Sequence, residues 1–283
     1  ISLDPSDERV LVAPLTDDGE GTYVVSWSVV SSDDGHFTKG AYAFAVGANA
    51  ITATTTMDTQ IVEIATTPEA LAMTVELFGN GIIWAGLLLF VFSIRKILLK
   101  GQFGSEAETI KRAYVWFIIT GVIFAFVGGA LQLWVKGLDL ASLRDVGFRE
   151  ALPIYLGTTA GFATLVRMIA VCVVLALLLV GRKAILAAKR ISIYELLMML
   201  SMAVFAYYRA KISHATANPF HPEFSIFINF IHLVEKDVWA GVMLALVLLC
   251  LFKRTRKFLI ALIPHAFIVL TIDLLSVSIT ASY

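Results

Sequence analysis

Charge is scarce in this sequence: 16% of its 283 residues are Asp, Glu, Lys or Arg, against about 25% in a soluble globular protein. The charges that remain cancel to zero, which gives no reason to expect a nucleic-acid partner. Cysteine is nearly absent. Cys172 and Cys250 both fall inside apolar stretches, so they read as small buried side chains and say nothing about redox compartment. The chain opens at Ile1 without the charged start and apolar middle of a signal peptide, which reads as processing or truncation. No nucleophile–base pair, phosphate-cradling glycine loop or zinc-protease spacing occurs, so no enzyme activity is expected.

What the chain has instead is apolar length. Hydrophobic residues make up 58% of it and the mean hydropathy is +0.82. About 20 apolar residues cross a bilayer as a helix. Stretches near 70–95, 114–135, 157–181, 191–210, 226–252 and 258–280 have that length. The reading is a mainly α, polytopic membrane helix bundle of six spans, with a small extracytoplasmic β-sandwich fragment at the N-terminus. Residues 1–46 form the head, 47–69 a linker and 70–283 the membrane domain. The linker is rich in Gly, Ala and Thr and uncharged until Asp58, with too few large apolar residues for a core.

Basic residues concentrate on one side of the spans. Arg95, Lys96, Lys100, Lys111 and Arg112 follow the first span, Arg182, Lys183, Lys189 and Arg190 the third, and Lys253, Arg254, Arg256 and Lys257 the fifth. The other side holds only Arg9, Lys39, Lys136, Arg144, Arg149, Arg209 and Lys211. The richer side is expected to be cytoplasmic, which places the head and the C-terminus outside.

In the head, Tyr23, Val25, Trp27 and Val29 alternate with smaller polar residues, the pattern of a half-buried strand. Asp34-Gly35 signals a hairpin turn, and Tyr42, Phe44 and Val46 share one face of the return strand. An earlier strand is expected near Arg9–Leu15. Three short strands bury little apolar surface, so the head reads as the tail of a larger sandwich. Asp34 and His36 are two apart and point to one side of an extended segment. Imidazole beside a carboxylate suits copper, zinc or nickel, while an ordinary solvated turn accounts equally for the Asp-Gly pair.

Ionisable residues inside spans are costly and usually face a bundle interior or a wet cavity. Glu76, Arg167, Glu235, Lys236, Asp237 and Asp273 come from four spans. Counted along each helix they share one layer, about 9–17 Å in from the outer ends. One reading is a buried ion-pair network, with Arg167 and Lys236 matched to the carboxylates. The other is a cation path, since carboxylates outnumber cationic groups. On the fifth span His232, Glu235, Lys236 and Trp239 share a sector of about 100°, and Asp237 lies well off it. His36, His214, His221 and His232 sit at or near the outer surface and offer a relay of borderline-soft ligands. Met198, Met199, Met202 and Met243 read as helix packing, although thioethers also bind Cu(I).

Two resemblances sharpen these patterns. Tyr23-Val24-Val25-Ser26-Trp27-Ser28-Val29-Val30-Ser31-Ser32-Asp33-Asp34-Gly35-His36, with Gly40 through Val46, resembles the C-terminal end of the copper-resistance CopC family, small β-sandwiches that bind Cu(II) outside the cytoplasm. The resemblance places that family's aspartate and histidine ligands on Asp34 and His36, or on Asp33 in place of Asp34, because the turn is one residue longer. Ser213-His214-Ala215, Ile231-His232-Leu233 and Trp239-Ala240-Gly241 are similar to the CopD family of copper-resistance membrane proteins. Trp84-Ala85-Gly86 repeats the end of that motif, with Glu76 near the place of the histidine. Fusions of CopC to CopD run in this order.

The resemblance implies copper bound outside the cytoplasm and transferred or imported through a multi-pass cell-membrane domain, with Asp34, His36, His214, His221 and His232 as metal residues. Copper ions and the lipid bilayer are the expected partners. An alternative is a non-catalytic accessory subunit of a larger membrane-bound copper enzyme, with further membrane subunits as partners. A b-type haem carrier is disfavoured, because His232 lies about 9 Å deep and His265 about 22 Å.

Overall fold

A computed structural model describes residues 2–14, 19–30, 37–47, 67–101, 103–213, 221–251 and 256–280. The chain divides into two compact units, one built of strands and one of helices.

In the strand unit, β1 (Ser2–Asp4) pairs antiparallel with β2 (Asp7–Val12), and β3 (Gly21–Val30) with β4 (Phe37–Val46). Alternation and the turn signal explain the second hairpin, whose register sets Tyr23 opposite Phe44 and Trp27 opposite Gly40. The two rings stack with centroids 5.4 Å apart, the cross-strand contact that stabilises a two-stranded ladder. Tyr23 also donates its hydroxyl to the carbonyl of Gly19 at 2.6 Å. Among the described residues the strands form two separate two-stranded sheets. The turn that carries Asp33, Asp34 and His36 lies outside the described residues.

The helical unit comprises α1 (Thr67–Leu99), α2 (Ala107–Arg144), α3 (Phe148–Leu156), α4 (Thr159–Ala187), α5 (Ile193–Lys211), α6 (Pro222–Leu251) and α7 (Arg256–Thr280). α1 is the hub: it packs against α2 and α6, while α2 packs on α4, α4 on α5, and α5 on α6. α7 lies along α6. Close approach of backbones depends on glycine. A Cβ on Gly128 of α2 would strike the backbone of Glu76, and one on Gly241 of α6 would strike the backbone of Gly81. Small residues at such crossings let apolar helices pack closely.

Four helices are long and apolar enough to cross a membrane, over Thr67–Leu99, Ala107–Ser142, Thr159–Ala187 and Lys257–Ser278. The stretches near 191–210 and 226–252 are helical but fall short of that measure. In α6 the run Glu235-Lys236-Asp237 interrupts the apolar length, and α5 is only 19 residues long with charged residues at both ends. The surface of the unit is largely apolar: Trp116, Leu179, Val180, Ile260 and Phe267 are all exposed. That surface is consistent with a membrane protein. The cysteines correct an expectation. Cys172 and Cys250 are exposed rather than buried, as fits thiols on helix faces turned outward into an apolar surround.

Candidate functional site

The polar residues of the helical unit resolve into three groups, each built across helices. In the first, Glu76 on α1 meets Arg167 on α4, with Oε1 3.4 Å from Nε. Gln132 of α2 bridges them: it donates to Glu76 at 2.8 Å and accepts from Arg167 at 3.0 Å. Arg167 also donates to the Thr164 hydroxyl at 3.0 Å and lies over the Phe205 ring at 5.8 Å. Both charged side chains are 3% exposed, so each depends on the other for compensation.

In the second group, Asp237 of α6 accepts from the Asn80 side-chain amide of α1 and lies 3.5 Å from Nη1 of Arg209 on α5. Arg209, read from the sequence as a loop charge, is thus a helix residue turned to a buried carboxylate. Asp237 does face away from the His232 sector. That sector divides: Lys236 and Trp239 are exposed, His232 is half-buried and Glu235 is buried, as are Leu233, Asp237 and Val238.

The third group has a different character. Glu235 accepts hydrogen bonds from the hydroxyls of Ser276 and, at 2.8 Å, Thr280, both on α7. Nδ1 of the half-buried His232 lies 3.4 Å from Thr280 Oγ1. Asp273, one turn before Ser276, is 7% exposed and its Oδ2 has no hydrogen-bond partner. Among the described residues, no basic side chain pairs with Glu235 or Asp273.

Of the histidines expected to bind metal, His232 takes its place in this third group. His221 is exposed at the start of α6, where its carbonyl accepts from the Ser225 amide at 3.0 Å. His36 and His214, like Asp34, lie outside the described residues. No group of three or more His, Cys, Asp or Glu able to hold a metal occurs among the described residues. Asn80, Gln132, Arg209, Ser276 and Thr280 complete the buried networks and were not singled out by sequence. Asn80 falls one turn from Glu76 and Thr280 two turns from Asp273. Same-face spacing from a known buried charge is the signal that finds them.

Comparison with known families bears on the strand unit. Residues 2–47 match the family model of the CopC domain. CopC domains are copper-binding domains of copper resistance, so a copper-related function attaches to this part of the chain. No curated protein and no solved structure matches the chain.

Proposed function

We propose that this chain takes up copper outside the cytoplasm through its CopC head and transfers or imports it through a CopD-like membrane domain. The match of residues 2–47 to the CopC domain carries this reading. In it, residues 1–46 are the head, 47–69 the linker and 70–283 the membrane domain. α5 and α6 join the four long apolar helices as spans, because Glu195, Arg209, Glu235 and Asp237 face partners inside the unit rather than lipid. The basic loops then lie in the cytoplasm and both termini of the bundle outside.

Copper is cargo here, and Asp34 with His36 would receive it. An imidazole and a carboxylate are suitable donors for Cu(II). His214, His221 and His232 would take it onward, and the position of His232 within reach of the α7 terminus supports its part in that route. The arginine-paired carboxylates Glu76 and Asp237 hold the helices together.

Copper retention by the purified full chain tests the reading. After copper loading and dialysis, the intact protein is expected to keep bound copper, and His36→Ala to lose much of it. A chain that keeps none, or a variant that keeps as much as the parent, would overturn the proposal.

A further inference from the structure

α7 runs beside α6 but meets α1 at a π-helical turn, Phe90–Ile94, leaving a half-open cavity of about 580 Å³ along the three helices. Its walls are mostly apolar, with Glu235, Asp273 and Ser276 at the Thr280 end. Lys96 and His265 line it too. His265 lies eight residues before Asp273 on α7, about 12 Å along the helix.

Three lining residues present buried polar atoms that nothing described satisfies: Asp273 Oδ2, Ser93 Oγ and Trp84 Nε1. Asp273 and Trp84 are 7% exposed and Ser93 is 1% exposed. Orphaned buried polar groups are costly, and charged ones more so. Each of the three gives a water a polar partner along walls that are otherwise apolar, and the space is roomy enough to hold it. A π-helical turn at the wall, with Ser93 inside it, belongs to a feature found often at functional sites.

The charge of the cavity points to its ligand. Ser276 and Thr280 both bond to Glu235, so this face of α7 is turned toward that carboxylate. Asp273 stands on the same face, three and seven residues before them. Two carboxylates are thus brought within about one helical turn of each other. Glu76 and Asp237 have arginines; these two have no basic partner among the described residues. Uncompensated buried charge of this kind is strongly unfavourable. The donors at this end are carboxylate and hydroxyl oxygens, a hard set that does not favour soft copper. The space exceeds a bare ion many times over, a water taking about 30 Å³.

We infer that this cavity is a water-filled vestibule whose Thr280 end binds a hydrated alkali cation between Asp273 and Glu235. The site adjoins His232 of the proposed copper route, whose Nδ1 lies 3.4 Å from Thr280 Oγ1, but its oxygen donors do not require copper. Lys96 lies away from that end, where its charge opposes further passage of a cation.

Radiolabelled sodium tests the inference with the full chain in detergent, in choline buffer. Saturable binding is expected, about tenfold or more weaker in Asp273→Asn and Glu235→Gln and largely kept in Asp273→Glu. Sodium is also expected to raise the unfolding temperature of the parent over choline, and not that of Asp273→Asn. Since Oδ2 of Asp273 makes no hydrogen bond within the described fold, this variant keeps the test valid if Glu235→Gln misfolds. Absence of saturable binding in the parent, or equal binding in folded Asp273→Asn, overturns the assignment. Copper content of the same samples bears on the copper reading alone.

Discussion

Thr280 at the end of α7 donates its hydroxyl to Glu235 of α6 at 2.8 Å, so a buried carboxylate is held by hydroxyls rather than by a basic side chain. Thr280→Val keeps the shape and removes the donor. Loss of one bond to a buried charged group is expected to cost about 1–3 kcal/mol. Thermal unfolding of the purified protein in detergent measures it; an unchanged midpoint would mean that the bond contributes nothing.

Arg167 and Glu76 present the opposite case, two charges that each need the other. Arg167→Met leaves Glu76 buried without its cation, and a cost of about 3–5 kcal/mol is expected. Replacing both, as Arg167→Met with Glu76→Gln, is expected to recover much of the loss. Unfolding midpoints of the three proteins decide it, and a double variant no better than the single one would refute the pairing.

Glu195 serves two structures at once. One carboxylate oxygen accepts from the Ser192 amide at 2.8 Å and completes a capping box at the start of α5. The other lies 2.5 Å from Arg95 Nη2 of α1. Ser192→Ala removes only the cap and is expected to cost about 1 kcal/mol. Glu195→Ala also strands Arg95 and is expected to cost about 3–5 kcal/mol. Equal losses in the two variants, read from denaturation curves, would contradict the double role.

In the strand unit, the Ser6 hydroxyl and amide hold the Asp4 carboxyl below its ordinary value of 3.8. A carboxyl whose folded value is depressed adds stability above its unfolded value and loses it as pH falls through the folded one. Ser6→Ala is therefore expected to raise the Asp4 titration toward 3.8. Carboxyl chemical shifts followed with pH would show it, and an unmoved titration would dismiss the bond.

The sequence makes the apolar helices and the second hairpin readable because each has a strong period or length. β1 escaped notice because its three residues, Ser2–Asp4, carry no usable alternation. Counting along helices leads to the expectation of one layer for Glu76, Arg167, Glu235, Lys236, Asp237 and Asp273. Their pairing does not follow from that count, because it depends on which helices become neighbours. Hence Arg209, near the end of an apolar stretch, reads as a loop charge until α5 packs on α6 and brings it to Asp237. The sector on α6 fails for a related reason. Its members separate: His232 and Glu235 face α7 through Thr280, while Lys236 and Trp239 are exposed on a helix whose packing on α1 is set by Gly81 and Gly241.

Copper movement itself is the most direct test. The full chain reconstituted into vesicles, with copper supplied on the side of the head, is expected to accumulate copper above empty vesicles. The His36→Ala, His232→Ala double variant is expected to fall well short of it. Uptake no greater than in empty vesicles, or a double variant that matches the parent, would contradict copper transfer by this chain.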